Sequence, residues 1–185
     1  ITQDDQLSPL TTEPNRIPNP LALNLYVLGY NNVKQLTNLN KATKTNLATY
    51  LEEHRMLTDA VNIKNAFPIN VGVDFEITTF KSYNNHQVLL ECLSELKDYF
   101  NIDKWQINQP IIINEAMNLI SNIKGVISVQ KFDIINYSGV DIGYSQYKYD
   151  IKGATRSGVI YPSLDPSIFE IKYPDLDIKG RVTTY

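Results

Sequence analysis

From Phe67 to Thr79 the chain alternates without a slip. Phe67, Ile69, Val71, Val73, Phe75 and Ile77 fall on one side, and Pro68, Asn70, Gly72, Asp74, Glu76 and Thr78 on the other. Successive side chains of a strand point to opposite faces, so a period of two over this length predicts one long strand. Its apolar face needs a covering layer, and helices packed on one side of a small sheet supply one. The polar face, with Asn70, Asp74, Glu76 and Thr78, is expected to meet water. Nothing in the strand or in the helix-patterned stretch before it is arranged for catalysis.

At 185 residues and 43% hydrophobic, the chain can bury a core, and one domain with appendages is expected. The formal charge is only −3 and Lys and Arg are scattered, so no basic face for nucleic acid is predicted. No apolar run is long enough for a membrane helix, and no membrane partner is expected. Residues 1–20 are polar and broken by Pro9, Pro14, Pro18 and Pro20; they are read as a linker or the end of a preceding domain, without a signal peptide. The start at Ile1 rather than Met is taken to mark a C-terminal fragment of something longer. The single cysteine, Cys92, lies among Val88, Leu89, Leu93 and Leu96 and is expected to be a buried structural thiol in a reducing compartment.

Before the long strand, residues 21–30 set Leu21, Leu23, Leu25 and Val27 against Asn24 and Tyr26 and predict a first strand, closed by Gly29 and Asn31-Asn32. Asn40 is a predicted N-cap for a helix to about Met56, with Leu47, Tyr50, Leu51 and His54 on one buried stripe. Val61 and Ile63 extend the later alternation backwards, so that strand starts early or is bulged near Asn65. A second helix over about 87–100 carries Val88, Leu89, Cys92, Leu93, Leu96, Tyr99 and Phe100. Trp105 and Ile107 suggest a short extended piece. Pro110 is placed at the first position of a third helix, capped by Asn108 or Gln109, with Ile113, Ala116, Met117, Ile120 and Ile123 inward and Gly125 as its stop. A phase change between Ile127/Val129 and Phe132/Ile134 predicts a β-bulge near Gln130-Lys131, which would keep both pairs on the core face.

The fold class that follows is α+β: a small mixed or antiparallel sheet covered on one face by about three helices, in the order β-α-β-α-α-β, over residues 21–137. From 138 to 185 the text changes. Seven of the twelve tyrosines lie in residues 137–185, turn residues are frequent and helical periodicity is absent. This region is predicted to be an extended, β-like, Tyr-rich C-terminal arm that wraps the domain or lies on a neighbour. Its candidate interface residues are Tyr144, Tyr147, Tyr149, Tyr161, Phe169 and Tyr173.

Chemistry is hard to find. The two histidines, His54 and His86, lack metal-ligand spacing, so no metal is expected. Asp74 and Glu76 are the one carboxylate pair that could work on a cation or as acid and base, but solvated strand carboxylates are the plainer reading. Glu52-Glu53 lie on an outer helix side, and Asp4-Asp5 lie in the linker. No phosphate loop is present, GATRSG around Arg156 has the wrong spacing, and no Gly-x-Ser-x-Gly elbow occurs. No cofactor and no enzymatic activity are predicted. The tyrosines could stack on sugars or single strands, but the charges of 138–185 balance, which favours protein contact.

Three stretches carry a family resemblance: LATYLEEHRMLTDAVNIKNAFPINVGVDFEITTF, LKDYFNIDKWQINQPIIINEAMNLISNIKGVISVQ and ATRSGVIYPSLDPSIFEIKYPDLDIKGRV. A helix with YL and R, a long strand, a helix, a second helix after a QP-I step and a GV-x-x-V strand together resemble the C-terminal region of a baseplate wedge protein of T4-like contractile-tailed phages, in the wider baseplate J-like group. The similarity covers roughly residues 20–183. It implies a structural component of the virion that pairs with itself, joins a ring around the tail hub and contacts other wedge proteins. The implied location is the tail baseplate, assembled in the bacterial cytoplasm. The family offers no catalytic residue to carry over. Its members are longer, and the resemblance implies a further region that contributes helical wedge-core contacts. Two features of the residues agree with assembly: unpaired strand edges can add to a neighbour's sheet, and ring symmetry multiplies modest contacts. The alternatives are a carbohydrate- or receptor-binding module of a phage tail, and a hydrolase or nuclease using Asp74 and Glu76.

Overall fold

A computed structural model describes residues 2–3, 22–54 and 60–183, and the fold is α+β. Of the linker expected over residues 1–20, Thr2–Gln3 form a strand, while 4–20 with Asp4-Asp5, like the predicted helix end at Met56, lie outside the described residues. The chain forms two compact units, one of residues 1–67 with 164–167 and one of residues 68–163 with 168–185.

In the first unit, β1 (Thr2–Gln3) and β2 (Ala22–Val27) pair antiparallel. A hairpin of β3 (Gly29–Tyr30) and β4 (Leu36–Thr37) follows. Its turn is held by Asn31, whose side-chain oxygen accepts the Val33 N–H at 3.0 Å and the Gln35 N–H at 2.9 Å. α1 (Lys41–Glu52) starts where predicted, with the Thr43 N–H donating to Asn40 Oδ1 at 2.7 Å. β5 (Ala60–Asn65) then pairs parallel with β2, setting Leu23 beside Val61 and Leu25 beside Ile63.

Two expectations fail in this unit. The alternation of β2 is real, but its covered face is the one with Asn24 and Tyr26, while Leu23 is 36% exposed. Alternation sets the phase of a strand; the neighbours decide which face is covered. The stripe of α1 is not buried either: Leu47 and Leu51 are half-covered and Tyr50 and His54 are exposed, their rings 4.8 Å apart.

The second unit is built on β6 (Phe67–Thr79), which has the predicted bounds. Ala66 separates it from β5, so the earlier alternation belongs to another sheet rather than to a bulge. α2 (Asn85–Tyr99) follows, capped by Asn84, and buries Val88, Cys92 and Leu96. A 3-10 turn over Ile102–Lys104 leads to Trp105, which is extended and stacked on Phe100 at 5.6 Å, while Ile107 lies in a turn. Pro110 does not open a helix. It precedes the two-residue β7 (Ile111–Ile112), whose pairing holds the chain extended until α3 (Ile113–Ser121) begins without a side-chain cap. α3 ends at Ser121 with Asn122 as its cap, so Gly125 does not stop the helix; at a φ of +103 it turns the chain into the next strand.

β8 (Val126–Asn136) pairs antiparallel with β6. Glu76 faces Lys131 and Ile77 faces Val129, so Gln130 is the extra residue of the predicted bulge. A second shift, between Thr78 and Thr79, leaves Ile127 unopposed. That is why Ile127 stands 47% exposed rather than on the core face, while Val129, Phe132 and Ile134 are half-buried. After a 3-10 turn at Val140–Ile142 come α4 (Ile151–Ala154), β9 (Thr155–Arg156), β10 (Val159–Ile160), β11 (Ser167–Glu170), α5 (Pro174–Asp177) and β12 (Ile178–Thr183). β10 pairs with β7 and β9, β11 joins β6, and β12 runs parallel to β6.

The core is the apolar face of β6 under α2 and α3, so two of the three expected helices cover this sheet. Val71, Val73, Phe75 and Ile77 are all at 1% exposure or less. Burying a side chain of this size contributes roughly 1.5–3 kcal/mol. Gly180 of β12 lies beside Phe75, and a Cβ there would strike the Phe75 ring and meet Leu89 of α2 at 2.7 Å. The residues from 138 onward take part in this core: Ile151, Ile160, Ile168, Phe169, Ile171 and Ile178 are buried. No boundary between compact units falls at 137/138. Two short helices interrupt the expected extended run, and β12 completes the sheet of β6.

Candidate functional site

The tyrosines proposed as contacts divide into those turned inward and those left partly open. Phe169 is 3% exposed, with its ring edge-on to Tyr149 at 5.9 Å, so it is a core residue and not a docking residue. Tyr149 donates its hydroxyl to the Tyr161 carbonyl at 2.7 Å, and burial, with Asp150 beside it, raises its hydroxyl above the ordinary range. Tyr144 stacks on Tyr137 at 5.2 Å and meets Tyr173 edge-on at 5.5 Å. Its hydroxyl donates to Asp177 Oδ1 at 2.5 Å, and burial together with that carboxylate pushes its titration far up. Asp177 Oδ2 accepts the Tyr173 N–H at 2.9 Å, so one buried carboxylate ties two tyrosines to the start of β12. Tyr147 is half-buried and Tyr161 is 50% exposed. Of the six residues, Tyr161 alone is exposed.

The polar face of β6 also differs from its expected form, because only its middle is open. Asn70 and Thr78 are 1% and 2% exposed. Asn70 Nδ2 donates to Glu170 Oε2 at 2.8 Å, and the Ser145 N–H donates to Asn70 Oδ1 at 2.7 Å. Its backbone carbonyl accepts from Tyr137 N and Asn136 Nδ2, both at 2.9 Å. Asn136 in turn accepts the Tyr149 N–H at 2.8 Å. Two asparagines thus pin the chain after β8 across the sheet end, and buried polar groups of this kind need such partners. Sequence reasoning marked Asn70 for the wrong role and passed over Asn136 and Asp177. The available signal was an amide inside a predicted strand, a position where it must find a bond or face water.

Between these covered ends lies a charged ladder. Lys131 Nζ bonds Asp74 at 3.2 Å and Asp133 at 2.9 Å, and Arg181 reaches Asp74 Oδ2 at 3.1 Å. Thr183 donates its hydroxyl to Glu76. Burial alone would raise the Asp74 carboxyl, but the bond from Lys131 and the charge of Arg181 outweigh it and hold it below its ordinary value. Asp74 and Glu76 are therefore not a pair converging on a shared cation in a cleft. Each is held by neighbouring strands.

Among the described residues no three His, Cys, Asp or Glu side chains gather to hold a metal ion, and no helix is long and apolar enough to cross a membrane. His54 is exposed, with Nδ1 3.0 Å from the Tyr50 carbonyl, and His86 is exposed in the first turn of α2. Arg156 is exposed next to the tight turn at Ser157 and Gly158. Cys92 is fully buried, and burial, reinforced by Glu91, pushes its thiol up to about 11. What the described surface does offer is a sheet with a charged open face and a strand, β8, paired along one edge. No protein-family model matches the chain, and no curated protein matches it significantly.

Proposed function

We propose that this chain is a structural subunit of a contractile phage tail baseplate, a wedge component that pairs with itself, joins a ring around the tail hub and contacts other wedge proteins. The observation that supports the reading is where the three resembling stretches fall. The first supplies β6, the second supplies α3 and the start of β8, and the third supplies β10, β11 and β12. Stretches far apart in sequence meet through β6, which pairs with β8, β11 and β12. The resemblance therefore follows a packed framework rather than isolated surface loops. The carbohydrate- or receptor-binding alternative has less support, because most of the tyrosine rings it needs pack on one another. A catalytic role for Asp74 and Glu76 has less still, since each already has a bonded partner.

The test is physical location. Mass spectrometry of purified contractile tails from a phage carrying this coding sequence should find the chain among the baseplate proteins. Gold-labelled antibody should mark the end of the tail distal to the head. Purified tails free of the chain, or label confined to fibre tips, would remove this reading.

A further inference from the structure

We propose that residues 138–148 form a lid over one end of the β6 sheet, which lifts as one unit because side chains, not strand pairing, hold it shut. The lid is complete in itself. The Gly139 N–H donates to the Ser145 carbonyl at 2.9 Å, the Tyr144 N–H to the Gly139 carbonyl at 3.0 Å and the Gly143 N–H to the Val140 carbonyl at 3.0 Å. Gly139 and Gly143 take φ of +139 and +85, which folds the loop back on itself. Its two ends meet at one neck, where Asn136 Oδ1 accepts the Tyr149 N–H at 2.8 Å. Tyr149 is fixed there by its ring against Phe169 and by its hydroxyl on the Tyr161 carbonyl. Compact surface loops with joined ends are a recurring class and are frequently functional.

The bonds that fasten this loop to the body all involve a side chain. The Ser145 N–H donates to Asn70 Oδ1 at 2.7 Å. The Tyr144 hydroxyl donates to Asp177, and its ring lies on Tyr137 and edge-on to Tyr173. Lys172 Nζ donates to the Gly143 carbonyl, to which the Tyr173 hydroxyl adds a longer bond of 3.4 Å. Among the described residues no main-chain to main-chain bond joins 138–148 to any other part of the chain.

Apolar burial does not hold it either. No residue from 138 to 148 is buried, and Val140 and Ile142 at the tip are 69% and 64% exposed. The cost of opening a segment follows from the burial and the bonds it gives up, so one with little of either opens well below global unfolding. Lifted about its neck, the loop keeps its internal bonds and uncovers Tyr137, Tyr173 and the Asp177 carboxylate. Loops that swing as bodies about a few hinge residues are a common way to gate a surface. Fraying is the competing behaviour, with each fastening bond breaking by itself. The two differ in one respect: in a lid, cutting any fastening loosens the others. The lid stands whether or not the baseplate reading does.

The experiment follows amide hydrogen exchange of the full chain by NMR, residue by residue, over a series of low urea concentrations. The Ser145 N–H, bonded to the body only through Asn70, should have an exchange rate at least about a hundredfold above that of the Phe75 N–H in the core strand, with a smaller urea dependence. This first measurement needs no variant and is free of folding defects. Ser145 and Phe75 amides that share one opening free energy and one urea dependence would overturn the proposal, because the loop would then open only when the whole unit unfolds. Tyr144→Phe keeps the ring stack and removes the bond to Asp177, and Lys172→Met removes the bond to the Gly143 carbonyl. Neither touches the Ser145 N–H, yet each should speed its exchange by about tenfold, the effect of one lost charge-assisted bond. A Ser145 rate unmoved by both variants would mean independent fraying and would overturn the lid as well.

Discussion

α1 and α2 begin alike and end differently. Each starts on an asparagine cap, Asn40 or Asn84, and each shows apolar residues at helical spacing. Yet α2 buries Val88, Cys92 and Leu96, while α1 buries no residue. The contrast extends to their units. Residues 68–183 pack β6 under two helices, whereas the described part of 22–66 buries only Tyr26 and Ala66 among its apolar side chains. A cap and a pattern are enough to start a helix, but helices of this length depend on packing for most of their stability. Over its described residues the first unit is accordingly the less tightly packed of the two.

The largest expected effect tests that contrast directly. Phe75→Ala removes a ring with no exposed surface and should cost about 3–5 kcal/mol, read as a fall in the urea midpoint. Leu51→Ala on the half-covered side of α1 should cost about 1 kcal/mol or less. Equal losses would show that the first unit holds a core as tight as the second, and the comparison would fail.

A smaller effect separates the units by backbone packing. A Cβ on Gly72 would strike the Tyr137 ring and meet the Asp177 carbonyl at 2.7 Å, so Gly72→Ala should cost about 1–3 kcal/mol through overpacking. Ala48→Gly in α1 acts chiefly through helix propensity, at about 1 kcal/mol. Thermal melts of the two variants would sharpen the contrast if only the first also loosens the Tyr144 and Tyr173 cluster, visible in near-ultraviolet dichroism. A Gly72→Ala protein with unaltered melting would mean that the chain after β8 can move aside at little cost.

How much of this was legible in the sequence follows from what each signal measures. Strict alternation gave β6 to the residue, and the phase change gave the bulge at Gln130, because both are local consequences of strand geometry. The second bulge was hidden, since Ile127 still matches an apolar pattern although nothing opposes it. Pro110 misled for a related reason: proline suits the first turn of a helix, but the long-range pairing of Ile111 with Ile160 keeps the chain extended for two more residues. In β2 the pattern was correct and its meaning inverted, because the covering of a face is a tertiary fact. The C-terminal third was hardest. Its strands are short, and β12 pairs with a strand about a hundred positions earlier, which no local window contains. The six proposed contact residues suffered from the same blindness, since an aromatic residue is equally suited to a core and to an interface.

The smallest expected effect lies in the charged ladder of the second unit, and its direction is set by linkage. The Asp74 carboxyl is raised by burial and lowered further by Lys131 and Arg181, so it titrates below the ordinary value of 3.8 in the folded chain. The folded state then binds the carboxylate's proton less readily than the unfolded chain does. The stabilisation is present above the unfolded value and is lost as pH falls through the folded one. Asp74→Asn removes this contribution, and its urea midpoint should converge on that of the unaltered chain toward about pH 2. At neutral pH the difference should stay within about 1 kcal/mol, because Arg181 and Lys131 are well exposed and water screens the pairs. Added salt should shrink it again. A difference that survives at low pH would mean that the Asp74 side chain stabilises by packing and hydrogen bonding rather than by charge. The open face of β6 would then be a structural surface in its own right, with its charges free to serve a partner.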